Sequence, residues 1–352
     1  MSYCRKCGAK LEENARFCHV CGTPVAPAPA LPTAKPAAHR RRSVNMVLVG
    51  VLIAVLLVVV AVSALIFLPI TPINYVQTKS VASEAGVSQL NLNLQADTAD
   101  INIIPQRVND NTLVLNVSAT GSTGIFGSTT PVKVTFGNRT VSSSTTVSAS
   151  VSRVGASFSV NLHVVCDVYV DPKAELNLMV HTNVGQVNMS AEDQTIQALA
   201  LQTTTGNVEA ALGKNVAVTG NVSITTTTGT ATLNWNQADA ERNISVYVKS
   251  TTGAANVQVK RDYFLSGNVT VEASTTTGSV NFDMTIHDDV SAQIEASKVF
   301  GAINVQQEGF SENQELLQSN NYPAPSNFNV KLSTTTGTVN IDATYQSLAT
   351  RS

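Results

Sequence analysis

The sequence predicts an all-β fold: a β-solenoid (β-helix-like) repeat domain outside the cell, joined through one transmembrane helix to a small metal-bound head. Three observations predict it. Four cysteines stand in two close pairs within the first 21 residues, a chargeless apolar run occupies Met46–Leu68, and a Thr-Thr-Gly signature recurs in the second half of the chain. The expected boundaries are a head at 1–22, a Pro/Ala-rich and basic linker at 23–43, a transmembrane helix at 44–70 and a repeat domain at 76–352.

The repeat is found by aligning on glycine. Gly185, Gly206, Gly229, Gly253, Gly278, Gly301 and Gly337 recur at intervals of 21 to 25 residues, apart from a last step of 36, and five of the seven follow Thr-Thr. Positions two and four after each glycine are apolar, as in Val280 and Phe282. So are positions five and seven before it, as in Ala273 and Val271. Alternation on both sides is strand patterning. The apolar parity switches across the glycine, so both strands keep an apolar face inward only if the chain bends there. A two-residue hairpin turn requires positive φ, which β-branched Thr resists, so a bend with glycine supplying the one unusual dihedral fits better. About 23 residues per repeat then makes two or three short strands per stacked coil. Asn188, Asn256, Asn281, Asn304 and Asn340 stand three after their glycines and should form a ladder along the stack. The ladder is expected to be structural, with a flat, glycan-binding polar face as the second reading.

The segments Leu90–Leu94 and Ile101–Ile103 read as an earlier coil, with Ala99 where glycine would fall. Residues 111–170 alternate over longer stretches and should form wider strands or a hairpin excursion. The extra length before Gly337 reads as a loop near 307–327, with one helical turn at Glu312–Leu317. Tyr345–Ser352 is expected to blunt the last edge of the stack.

About 23 apolar residues rising 1.5 Å each cover roughly 34 Å, enough for a ~30 Å hydrocarbon core. Arg40, Arg41 and Arg42 precede the run and no base follows before Lys79, so the positive-inside rule puts the N-terminus in the cytoplasm and the C-terminal part outside. The run is too long and too far from the N-terminus for a signal peptide. The expected location is therefore the cell membrane, crossed once, with the lipid bilayer as a partner. Residues 1–42 hold eight Lys/Arg against two acids, and the remainder fourteen against twenty-two. An acidic outer part argues against nucleic acid as a partner there.

Cys4-x2-Cys7 and Cys18-x2-Cys21 supply four thiolates in two pairs, the set tetrahedral Zn2+ requires. Gly8 and Gly22 follow the second cysteine of each pair and allow a tight turn beneath the metal. A closed four-coordinate site is structural, and so small a head needs the metal to fold. His19 lies inside the second pair and is expected to be exposed. The stretch YCRKCGAKLEENARFCHVCGTPV resembles the short zinc-ribbon family found at the N-termini of prokaryotic membrane proteins, which implies contact with a cytoplasmic protein.

The run VYVDPKAELNLMVHTNVGQVNM (168–189) and the TTTG coils resemble the prokaryotic "putative adhesin" family, a domain of unknown function, over about 86–346. That resemblance implies surface adhesion. No nucleophile motif surrounds His163, His181 or His287, and the acids are scattered, so no enzyme and no catalytic residue is expected. Cys166 sits among apolar neighbours as a core thiol. His287-Asp288-Asp289 is expected to be a solvated turn. The expected function is a surface binding module that contacts envelope glycan or a surface protein. The alternative is a transmembrane sensor or adaptor that couples the outer domain to a cytoplasmic partner through the ribbon.

Overall fold

The computed structural model describes residues 2–13, 15–25, 46–67, 71–124, 128–154, 159–313 and 316–347. Most of the Pro/Ala-rich linker, Arg40–Arg42 and the end of the chain lie outside the described residues. The chain divides into two units, Met1–Val59 and Val60–Ser352.

In the first unit β1 (Ser2–Tyr3) pairs antiparallel with β2 (Lys10–Leu11). Its core is Cys4, Leu11 and Cys18, with Ala9 and Val25 packed against them. Val25 N–H donates to the Arg16 carbonyl at 2.9 Å, which ties the chain just after the last cysteine to the head.

The helix α1 spans Met46–Phe67. Among the described residues no helix is long and apolar enough to cross a membrane. The expected transmembrane helix at 44–70 and the single-pass membrane location, with its cytoplasmic N-terminus and extracytoplasmic 76–352, are corrected on that finding.

The rest is strand, built around one apolar core running from Val81 to Ala343. Antiparallel pairs begin it. Strand β3 (Thr71–Ala82) pairs with β6 (Asn111–Thr123), across the connection formed by β4 (Gln89–Thr98) and β5 (Asp100–Pro105). A hairpin of β7 (Val132–Val141) and β8 (Ser144–Arg153) follows, and β9 (Ser159–Val170) lies antiparallel to β6. The parallel stack then grows on β4 and β5. Strands β10 (Glu175–Val184) and β11 (Val187–Ala191) lie on β4 and β5, and carry β12 (Thr195–Thr205) and β13 (Val208–Leu212) in turn. Beyond the short β14 (Ala217–Val218), the two arms of each coil fuse into one bent strand through the glycine. These are β15 (Val222–Asn236), then, after β16 (Asp239–Ala240), β17 (Ile244–Arg261), β18 (Val269–His287) and β19 (Val290–Glu308).

The all-β content stands, but a plain solenoid with coils in chain order does not. A hairpin of β20 (Phe310–Asn313) and β21 (Leu316–Ser319) takes the place of the expected helical turn. The final strand β22 (Ser326–Gln346) then inserts between β18 and β19, pairing parallel with both. The corner order is therefore Gly253, Gly278, Gly337, Gly301. Chain connectivity does not decide the order. The glycine bend and the apolar positions beside it do, and β22 offers both.

The corner glycines have φ from 128° to 147°, the unusual dihedral the parity switch demands. Burial follows the predicted phase. Val222, Val246, Val271 and Val330, seven before their glycines, are 0–2 % exposed. Three before every corner glycine except Gly301 stands a buried hydroxyl. Thr203 Oγ1 donates to the Gly185 carbonyl at 3.0 Å, Thr226 to Gly206 at 3.0 Å and Ser250 to Gly229 at 2.9 Å. Each hydroxyl thus finds its partner on the neighbouring coil, which is why a Thr can be buried there without an orphaned polar group.

Candidate metal centre and ladder groove

The two cysteine pairs fold alike. Gly8 N–H donates to the Cys4 carbonyl at 2.9 Å and Gly22 N–H to the Cys18 carbonyl at 2.8 Å. Gly8 has φ 73° and Gly22 φ 67°. These two turns swing the pairs towards each other, so that Cys4 Sγ lies 3.5 Å from Cys21 Sγ and Cys7 Sγ 3.6 Å from Cys18 Sγ. All four sulfurs fall within 4.8 Å of one another. His19 is exposed and outside the cluster, as expected.

Backbone amides tune the thiols. The Lys6 and Cys7 amides pull Cys4 down from the ordinary thiol value. The Thr23 hydroxyl, then the Thr23 amide, pull Cys21 down to about 6. The Ala9 amide favours the Cys7 thiolate too, but the crowding thiols of Cys21, Cys18 and Cys4, with burial, outweigh it and push Cys7 up to about 12. Without a cation the quartet cannot ionise together, whereas a divalent metal takes up all four thiolates. A depressed Cys21 favours the folded head above the ordinary thiol value, and that contribution is lost as pH falls through about 6.

The zinc-ribbon domain family matches residues 3–25. The head is a zinc ribbon. Its cofactor is structural zinc, at a site closed by four cysteines. No curated relative matches the chain. Two solved structures resemble it. One, titled a putative cell adhesion protein from Clostridium sporogenes, is 14% identical over 77% of this chain and 99% of that one, with TM-score 0.35. The other, titled a putative adhesin from Bacteroides fragilis, is 11% identical over 76% of this chain and 97% of that one, with TM-score 0.31. At such scores neither likeness bears on the argument.

With zinc bound the four ribbon thiols should resist iodoacetamide, and stripping the metal, which unfolds the head, should let all four alkylate at similar rates. Cys166 should stay unreacted until the domain unfolds. It is fully buried, and burial, then Asp167 and Asp100, push it up to about 12. Mass spectrometry of timed iodoacetamide reactions reads all five cysteines, and ribbon thiols that stay protected after the zinc is stripped would refute metal-dependent folding.

The second site lies on the arms that follow the glycines. The predicted asparagine ladder forms there for Asn256, Asn281, Asn340 and Asn304, its last two rungs exchanged by the insertion of β22, whereas Asn188 stands apart, donating to Asn102 Oδ1 at 3.4 Å and facing Glu209 on the next coil. Asn281 Nδ2 donates to Asn256 Oδ1, Asn340 to Asn281 and Asn304 to Asn340, each at 2.8 Å. Two positions further on is a row the sequence reading missed, signalled only by polar residues at the fifth position after the last five glycines. It runs Asn234, Gln258, Asp283, Asp342, Gln306 across five paired strands. The two rows line a shallow groove of about 840 Å3. Within it Asp283 faces Asp342 on the neighbouring strand, and Gln258 Nε2 donates to Asp283 Oδ2 at 3.1 Å.

The remaining candidates are structural. His287 is a buried strand end with Nε2 3.2 Å from Asp262 Oδ1, not a solvated turn. The outward Asn221 and Asn243 accept backbone N–H bonds from Ser245 and Asn268 on the next coil. Arg261, which the sequence did not single out, is buried. Its guanidinium donates to the carbonyls of Gln237, Tyr263 and Phe264, pinning the loop after β17.

Proposed function

We propose that the repeat unit is a binding module whose contact surface is the ladder groove, with a polyhydroxylated glycan of a cell envelope as the ligand class. One observation carries the reading. Asp283 and Asp342 stand opposite one another in the middle of an exposed polar row. Like charges directly opposite on a sheet destabilise it, so the pair costs stability where Asn or Gln would not. Carboxylates flanked by amides suit sugar hydroxyls, which both donate and accept.

The zinc ribbon is read as a protein-contact head. Its exposed Tyr3, Phe17 and Val20, each 59–63% accessible, are large apolar groups that the metal-stapled fold leaves uncovered. The head's core, by contrast, holds only a few small groups.

Replacing Asp283 and Asp342 together with Ala should lower retention on immobilised hexose and N-acetylhexosamine oligosaccharides more than tenfold, and leave the melting temperature unchanged or raised. Wild-type retention that survives the double substitution would remove the groove as the site. Failure of wild type to bind any of the array would remove the glycan reading.

A further inference from the structure

Inside the stack each bent strand is paired on both sides. Strand β19 is the exception. It pairs with β22 along Val290–Glu308, but among the described residues its other edge meets only β21, at Gln293–Glu295. Three features show what this open edge would accept. First, apolar positions that are sealed in the inner coils are only partly buried here, at Ile303 and Val305. Second, where β18 and β22 carry Thr-Thr before the glycine, β19 carries Val299 and Phe300, 65% and 68% exposed. Third, the position three before the glycine, Thr or Ser in the six preceding corners, is Lys298. Its Nζ donates to the Gly301 carbonyl at 2.8 Å. That carbonyl corresponds to those of Gly185, Gly206 and Gly229, which the hydroxyl of the next coil caps.

We propose that the open edge of β19 is a self-complementary interface for a second copy of this chain, and that Lys298 holds it shut. The stack already accepts a coil out of chain order, since β22 docks between β18 and β19 on corner register and apolar phase alone. A coil from another copy meets the same conditions. The opposite end of the sheet finishes in the antiparallel strands β3 and β7, so a second copy must bring its own β19. The contact is then isologous and antiparallel. The apolar parity switches at the glycine, so the inward faces match only with the register offset by one from corner on corner. That register places Phe300 against Gly301 of the copy, Lys298 against Ile303 of the copy and Ala296 against Val305 of the copy. A two-fold contact closes at two chains.

Lys298 opposes this closure. A strand laid over the edge would strip water from two ammonium groups, one per copy, and displace each from its corner carbonyl. Lysine on an edge strand is a known defence against edge-to-edge pairing. The stack would thus end at β19 through its chemistry and not through lack of a docking face.

The test is the full zinc-loaded chain at micromolar concentration, by light scattering and sedimentation velocity. Lys298→Thr should double the mass of wild type, with at least a tenfold drop in dissociation constant. Adding Ile303→Lys to Lys298→Thr should restore the wild-type mass, and Lys298→Arg should leave it unchanged. A Lys298→Thr protein that keeps the wild-type mass while retaining its circular dichroism would overturn the interface. Assembly beyond two chains would overturn the two-fold geometry. Equal self-association of wild type and Lys298→Thr, abolished in both by Ile303→Lys, would overturn the role of Lys298.

Discussion

Gly278→Ala is expected to lower the melting temperature of the repeat unit by about 10 °C or more, which thermal circular dichroism will read. Two costs add. The glycine has φ 138°, where an L side chain is strained by about 1–3 kcal/mol. A Cβ there would also lie 1.7 Å from the Gly253 carbonyl oxygen and 2.8 Å from its carbon. Those atoms are backbone, held by the pairing of β17 with β18, so no rotamer change relieves the clash, and overpacking adds about another 1–3 kcal/mol. The sum is a large share of the ~5–15 kcal/mol that holds a typical domain together. For a domain of this size each kcal/mol moves the midpoint by about 2–4 °C. Gly137 is the control. It lies in β7 with nothing within 4 Å of its would-be Cβ, so Gly137→Ala should fall within about 0.5 kcal/mol of wild type. Equal effects at the two sites would show that the corner does not depend on glycine.

The same corner explains what the sequence could and could not reveal. The glycine spacing, the parity switch and the alternating apolar positions were legible because each coil must satisfy them alone: a bend needs its glycine, and a buried face needs its period. The asparagine rungs were legible for the same reason. The order of the rungs was not, because β22 carries the same local pattern as any other coil, and only the competition for the space between β18 and β19 decides where it goes. The hairpin of β20 and β21 was missed since Glu312–Leu317 is too short for periodicity to separate strand from helical turn. The groove was missed because its row of Asn, Gln and Asp has no shared residue type; its unity is spatial. Around the metal, residue spacing was enough to nominate Cys4, Cys7, Cys18 and Cys21, since two tight turns are nearly all that the site needs. It did not show that the amides of Lys6, Cys7, Ala9 and Thr23, and not those of the glycines, tune the sulfurs.

Cys18→Ser is expected to release zinc and unfold the ribbon while leaving the repeat unit intact. The ribbon's own core is three buried residues, two of them metal-site cysteines, so removing the metal leaves Leu11 with Ala9 and Val25. Burying one leucine contributes about 1.5–3 kcal/mol, far less than the conformational entropy of ordering some twenty residues at about 1–2 kcal/mol each. Apparent binding energies of structural zinc in such small domains are about 10–16 kcal/mol, the scale needed to offset that deficit. Serine offers a poorer ligand, and Cys18 is buried at 2% exposure, so the substitution also places an uncompensated hydroxyl in the core. Zinc content by atomic emission should fall from one ion per chain to near zero, and the amides of residues 3–25 should lose their protection from hydrogen exchange. The repeat unit forms a separate body with its own core, so its melting transition should stay within about 1 °C of wild type. A shift of that transition by several degrees would show that the ribbon and the stack fold as one unit. Retention of zinc by Cys18→Ser would show that three thiolates suffice and that the site is not closed in the way a structural centre requires.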